Sequence, residues 1–479
     1  MQTIAKIAIA ALCWLSNFPA GLAAEPTRAE ALAALKKAAT FFHEQVGTDG
    51  GYLYKYSGDL QLREAEGIHH ASIVWVQPPG TPTIGEAFLD AFDATDDPYY
   101  LAAAKSVAGA LLQGQLRSGG WDHEIELDHQ KRLGYAYRDV PSKRKQAGKS
   151  SLDDDISQSA MRFLIRLDET LQHNDAKLHE ATLYALDAFL KAQRPGGGWY
   201  QWWDKFPTPA GEAEFPIRKA SYPQEWSRKW LNDWTGQYYL NDNVMANNIA
   251  TLLAAHRAYG DARYLAAAER AGDFLILAQM PDPQPAWAQQ YDLEMHPVWD
   301  RKFEPPAISG RESQDVILVL LTLHETTGNE KYLRPIPPAL AYLKKSTLPD
   351  GRLARFYELQ TNRPLYFKRT GKIYDLTYSD AELPDHYGFV VESRLADIER
   401  KYRAAIDDRT NVLAAPKVTT FARGPSPVRR AIDALDARGA WVERGRLPHH
   451  KVEPASGVID CATFAANIKL LCEYLAANP

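Results

Sequence analysis

Three consecutive acids, Asp153, Asp154 and Asp155, open a helical pattern (SLDDDISQSAMRFL), and Asp242 stands at the start of another (YYLNDNVMANN). Acids at a helix N-terminus are stabilised by the macrodipole, and Asn241 or Asp242 could simply cap its helix. Clustered carboxylates are also the ligands that hard cations such as Ca2+ take. Both groups open the first helix of a helical hairpin, so stacked hairpins bring them to the same end of the array. Carboxylates gathered there repel one another unless a cation neutralises them. The expectation is a Ca2+ site that draws on these acids.

A second set of residues is cationic. Arg301 is followed by Lys302, an aromatic, an acid and Pro305-Pro306, a rigid segment unsuited to a plain helical face. Its bland role is an ion pair with Glu304 or Glu312, worth little at a surface. Arg355, Arg363 and Arg369 fall within one turn-rich strand pattern, where alternation would put Leu353, Arg355 and Tyr357 on one face. Guanidinium groups read carboxylates through bidentate hydrogen bonds, so a row of them predicts a polyanionic substrate.

The elements that must position these groups are helical. Apolar residues at helical spacing form hairpins over 84–115, 156–193, 243–279 and 313–345, each closed by a turn, usually rich in Gly or Pro. The turns reach Trp121, Trp199, Trp287 and, in the fourth hairpin, the charged run Arg352 to Leu359. A degenerate first unit covers Ala29 to His43 and a Gly50-Gly51-Tyr52 turn. Such hairpins bury their apolar stripes only by stacking, which predicts an all-α-dominated (α/α) toroid with short β segments on its rim. Trp121 and Trp199 are then expected to wall the cleft. Residues 25–403 make the toroid, residues 206–239 form a long rim insertion, and 404–479 form a C-terminal extension ending in a helix.

Net charge of −5 gives no basic field for nucleic acid. Lys6, the apolar run Ile7 to Trp14 and the Ala23-Ala24 end read as a secretory signal peptide over 1–24, too short in its apolar part to span a bilayer. A secreted or periplasmic monomer without membrane partners is expected. Loss of Cys13 with that leader leaves Cys461 and Cys472, whose helical separation of about 16 Å forbids a disulfide. The 12 Trp and 24 Tyr are many for a helical protein, and aromatics beyond core needs line sites for flat ligands such as sugars.

On seven ordered motifs the chain resembles polysaccharide lyase family 10, the pectic acid lyases: SGGW at Ser118, SLDDDIS at Ser151, GGGWYQWW at Gly196, NDN-x-M at Asn241, WAQQYD at Trp287, RKFEPPAISGRES at Arg301 and RFYELQTNRPLYFKRTGK at Arg355. The resemblance implies a helical toroid whose Ca2+-dependent cleft cleaves polygalacturonate, or another polyuronate, by β-elimination. It implies that Asp153, Asp154 and Asp242 hold the cation, that Arg301 abstracts the C5 proton, and that Arg355 and Arg369 clamp neighbouring uronates. Where the family carries a lysine after the first Gly-Gly-Trp, this chain has Asp122-His123-Glu124. Two other readings compete: a uronate-active hydrolase on the same barrel, which needs only two carboxylates, and an exported oligouronide-binding protein. A prenyl-diphosphate cyclase fits worst, having no use for a leader or an arginine row.

Overall fold

The computed structural model describes residues 25–141, 144–407 and 427–479. The expected leader at 1–24, with Cys13, and residues 408–426 of the expected C-terminal extension lie outside the described residues.

The twelve described α-helices are α1 (Arg28–Phe41), α2 (Thr81–Thr95), α3 (Pro98–Gly114), α4 (Ile156–Thr170), α5 (Ala176–Ala192), α6 (Val244–Tyr259), α7 (Ala262–Leu277), α8 (Glu312–Thr327), α9 (Ile336–Lys345), α10 (Leu395–Asp407), α11 (Pro427–Asp433) and α12 (Cys461–Ala477). The pairs α2/α3, α4/α5, α6/α7 and α8/α9 are the four hairpins expected from the periodicity. The first helices of successive pairs pack side by side: α2 on α4, α4 on α6, α6 on α8 and α8 on α10. At the other end α12 packs on both α1 and α2. The architecture is an (α/α) toroid, and the C-terminal helix supplies the first helix of the degenerate N-terminal unit.

The rim repeats the same logic. In each hairpin the strand before the first helix pairs antiparallel with the strand after the second: Ile73–Trp75 with Glu124–Glu126, Ser150–Ser151 with Trp202–Trp203, Tyr238–Tyr239 with Gln290–Tyr291, and Ala307–Ser309 with Phe356–Glu358. Val458–Asp460, before α12, pairs with Lys55–Ser57, after α1, so the split unit closes like the others.

The helices start and stop for local reasons. Asp97, Asp175 and Asp261 accept a backbone N–H at the starts of α3, α5 and α7, satisfying donors the helix leaves orphaned. At the turns a glutamine locks one hairpin to the next. Gln115 donates to Gly119 O and to Ala181 O of α5, and Gln193 donates to Gly197 O and to Ala267 O of α7. Gly197 is required there: its φ is +96°, and a Cβ would lie 2.0 Å from Arg270 O. Cys461 and Cys472 are free and buried on α12. No described helix is long and apolar enough to cross a membrane.

Candidate active site

The acids that open α4 and α6 behave unlike those that open α3, α5 and α7. Neither α4 nor α6 has a side-chain N-cap. The backbone instead makes two successive left-handed steps, at Asp154 and Asp155 (φ 41° and 66°) and at Asp242 and Asn243 (φ 51° and 57°). Non-glycine residues in that region are strained, and such strain collects where function needs it. The result turns the carboxylates off the helix ends and toward each other. One oxygen from each of Asp153, Asp154 and Asp242 lies within 4.8 Å of the others.

Each carboxylate is oriented by one amide. Gln201 Nε2 donates to Asp153 at 2.9 Å, Gln77 Nε2 to Asp154 at 3.0 Å, and Asn241 Nδ2 to Asp242 at 2.9 Å. Asn241 Oδ1 is buried without a partner. One amide per carboxylate does not offset burial and mutual repulsion. Burial, followed by the charges of Asp154 and Asp153, pushes the Asp242 carboxyl up to about 8. Burial and the charges of Asp153 and Glu66 likewise raise Asp154. Oxygen donors that resist ionising together, with an orphaned carbonyl oxygen beside them, match the donor set of a hard cation such as Ca2+.

Arg301 stands in electrostatic reach of Asp242. Its Nε and Nη2 donate to the two oxygens of buried Glu304 at 2.6 and 2.5 Å, and Tyr387 donates its hydroxyl to Glu304 at 2.7 Å. The Arg301 side chain is still 42% exposed, with its guanidinium carbon 5.2 Å from the Phe303 ring and 5.7 Å from the Tyr387 ring. Despite burial, the Glu304 contacts raise its pKa above the ordinary arginine value. Asp300, next in the chain, is pushed up to about 7 by burial and then by Glu304.

The profile of the pectic acid lyase family matches residues 115–353, the stretch that holds the acids, Arg301 and Glu304. The chain belongs to the pectic acid lyase family. It is a polysaccharide lyase, and the family acts on a uronan. No curated protein matches the chain. Solved structures similar to this lyase include a family 10 polysaccharide lyase from Cellvibrio cellulosa in complex with trigalacturonic acid, at 16% identity and a TM-score of 0.45, over 68% of this chain and 97% of that one. A cellobiose 2-epimerase from Spirochaeta thermophila matches at 16% and 0.44, over 70% and 74%. An α-1,6-mannanase from Salegentibacter matches at 12% and 0.40, over 94% and 99%.

Two expectations about the lyase's site are corrected. Trp121 and Trp199, expected to wall the cleft, are both 0% exposed. Each plugs the underside of its turn, with Nε1 donating to a carbonyl ten residues back, Leu111 O at 2.8 Å and Phe189 O at 3.2 Å. A buried indole with its only donor satisfied cannot meet a sugar. The arginines also form no row. Arg355 is 3% exposed, paired with Glu312 at 3.0 Å and stacked on Tyr387, because the face it shares with Leu353 and Tyr357 is a core face. Arg363 stacks on Tyr378, and Arg369 lies exposed near the Gly371 turn, donating to Gly371 O. Arg355 does border a cavity of about 440 Å3 together with Asn243, Arg311 and Arg394.

The residues missed in sequence are those two places after the turn aromatic: His123, Gln201 and Gln289. Their carbonyls accept from Val76, Leu152 and Leu240, so they occupy one structural position in successive hairpins. His123 pairs with Asp122 at 2.9 Å, which, with the charges of Asp153 and Glu66, raises its pKa against the opposing effect of burial.

Proposed function

We propose that this lyase cleaves polygalacturonate, or a closely related uronan, by β-elimination at the cluster of Asp153, Asp154 and Asp242. Ca2+ is the proposed resident cation, and Arg301 is the proposed group that meets the C5 proton. The observation that carries the reading is the convergence of three carboxylates, two of them on strained left-handed backbone, beside Arg301 in a pectic acid lyase. When bound, the cation neutralises the C6 carboxylate of the sugar and makes its C5 proton more acidic.

This chain's residues do the rest. Gln77, Gln201 and Asn241 fix the three carboxylates. The C5–H bond breaks toward Arg301, its electron pair forms the C4=C5 double bond, and the C4–O4 bond releases the leaving sugar with its pair, which solvent protonates. Glu304 holds Arg301 charged in the free enzyme. Neutral arginine is therefore scarce except at alkaline pH, which sets the direction of the activity profile. The cavity that Arg355 borders with Asn243, Arg311 and Arg394 is the proposed seat of a neighbouring uronate, and Arg369, exposed at the Gly371 turn, is the proposed contact for one further out. Export to the periplasm or the medium is part of the proposal and rests on the pattern of residues 1–24.

The test is incubation with polygalacturonate at mildly alkaline pH, with and without Ca2+, following ultraviolet absorbance of the C4–C5 double bond. A Ca2+-dependent rise is expected. New reducing ends without absorbance would make the enzyme a hydrolase, and no product from any uronan would overturn the reading.

A further inference from the structure

The insertion at 206–239 and the hairpin of strands Pro364–Thr370 and Ile373–Thr377 do not belong to the helical repeat, yet they meet beside Arg301. Trp230 Nε1 donates to Asp300 O at 2.6 Å, and Trp299 Nε1 donates to Ser227 O at 2.7 Å. Arg228 pairs with Glu358. The first two contacts pin the insertion against the segment that carries Arg301, and the third ties it to the strand Phe356–Glu358. Between them runs a groove of about 620 Å3, lined by Lys229, Lys302, Lys372, Trp230, Trp299 and Tyr374 among others.

Two properties of this groove are not explained by folding. Its three lysines have no acidic partner among the described residues; Lys302 donates to Lys372 O at 3.2 Å and lies 4.9 Å from the Tyr374 ring centre. Asp375 is the one acid on its walls. Three ammonium groups lining one groove present a local positive potential to an anion. The apolar surface is equally uneven. Of the seven large hydrophobic residues exposed among the described residues, Ile217, Leu231 and Trp234 lie in the insertion, Ile373 in the hairpin, where it lines the groove, and Tyr378 directly after it. The Trp234 ring packs edge-on to Trp230 at 5.9 Å. Ammonium groups beside exposed aromatic and apolar side chains suit a ligand that alternates carboxylates with the flat faces of sugar rings.

We propose that this groove is a remote subsite that holds further uronate residues of the polymer, beyond those at the acidic cluster. The inference rests on the uronan reading of the active site. Through it the insertion gains a function: it makes the enzyme prefer long chains over short oligomers.

The double variant Lys229→Ala/Lys372→Ala tests it. Removal of the two ammonium groups together should raise KM on polygalacturonate by roughly five- to tenfold more than KM on trigalacturonate. The ionic-strength dependence of polymer binding should also weaken. Equal changes in KM on both substrates overturn the proposal. If the wild-type enzyme yields no unsaturated product from any uronan, the active-site reading fails and the groove is tested alone. In gel electrophoresis through polygalacturonate with a chelator present, retardation of the wild type but not of the variant supports the groove, and equal migration overturns it.

Discussion

Asp154 and Asp242 occupy the same position in successive hairpins, each in a left-handed backbone conformation (φ 41° and 51°) one residue before another such step. A repeat that caps its second helices with Asp97, Asp175 and Asp261 has, at the starts of α4 and α6, given up the cap and accepted strain to aim carboxylates at one another. Glycine adopts that backbone freely. Asp242→Gly should therefore stabilise the metal-free protein by about 1 kcal/mol from strain relief alone, with removal of like-charge repulsion added to it. It should also abolish the thermal stabilisation by Ca2+. Melting curves in chelator and in Ca2+ measure both, and a variant that melts lower in chelator contradicts this account of the strain.

The same repulsion gives the metal-free protein a pH dependence of definite sign. Asp242 is raised to about 8 and Asp154 is raised in the same direction, so between about pH 4 and pH 8 the folded chain binds protons that the unfolded chain has released. Their stabilising contribution is complete below about pH 4 and is lost as pH rises through the folded pKa. In chelator the urea midpoint should fall from pH 5 to pH 8, and Asp242→Asn should fall less. Saturating Ca2+ should reduce the slope, because ionised carboxylates are then paired. An identical slope for wild type and Asp242→Asn removes Asp242 as its source.

Four hairpins and the acidic cluster were legible because their signals are local: apolar spacing, Gly-rich turns, and acids at equivalent helix starts. Two units were not legible whole. The α12/α1 unit is divided between the chain's ends, so the sequence showed only α1 and its turn, as a degenerate unit, and no window contains both helices. The turn Arg438-Gly439-Ala440-Trp441 repeats the others, with Trp441 Nε1 donating to Ala431 O at 2.7 Å, but α11 before it has only seven residues and shows too little periodicity to register. His123, Gln201 and Gln289 stand two places after the turn tryptophan, but the change from His to Gln hides a shared position that the backbone bridges establish. Trp121 and Trp199 misled for the opposite reason: a tryptophan beside a turn has the same sequence signature whether it faces the cleft or plugs the turn from below.

That correction has a measurable consequence. Trp121 is fully buried with its indole donor satisfied, so Trp121→Phe removes one hydrogen bond and part of a packed ring and touches no sugar. Stability should drop by about 1–3 kcal/mol, while KM on polygalacturonate below the melting transition stays within about twofold. A large rise in KM with little loss of stability would return this residue to the cleft wall.

The partnership of Arg301 with Glu304 sets the sharpest test of the chemistry. Glu304 contacts both Nε and Nη2, and these contacts raise the pKa of the residue proposed to take the proton. Replacing the carboxylate with an amide, Glu304→Gln, keeps the shape but removes the charge, so neutral arginine becomes easier to reach. The alkaline rise of kcat/KM should move to lower pH by about one unit. Arg301→Lys keeps a positive charge near the substrate carboxylates but places it on a different frame, so KM should hold within about threefold while kcat falls about a hundredfold or more. The two variants together separate base from clamp. If Arg301→Lys loses turnover but Glu304→Gln leaves the pH profile where it was, Arg301 acts as a fixed positive charge and the proton goes elsewhere. Asp300, already pushed up to about 7 by burial and Glu304, is then the group to replace next.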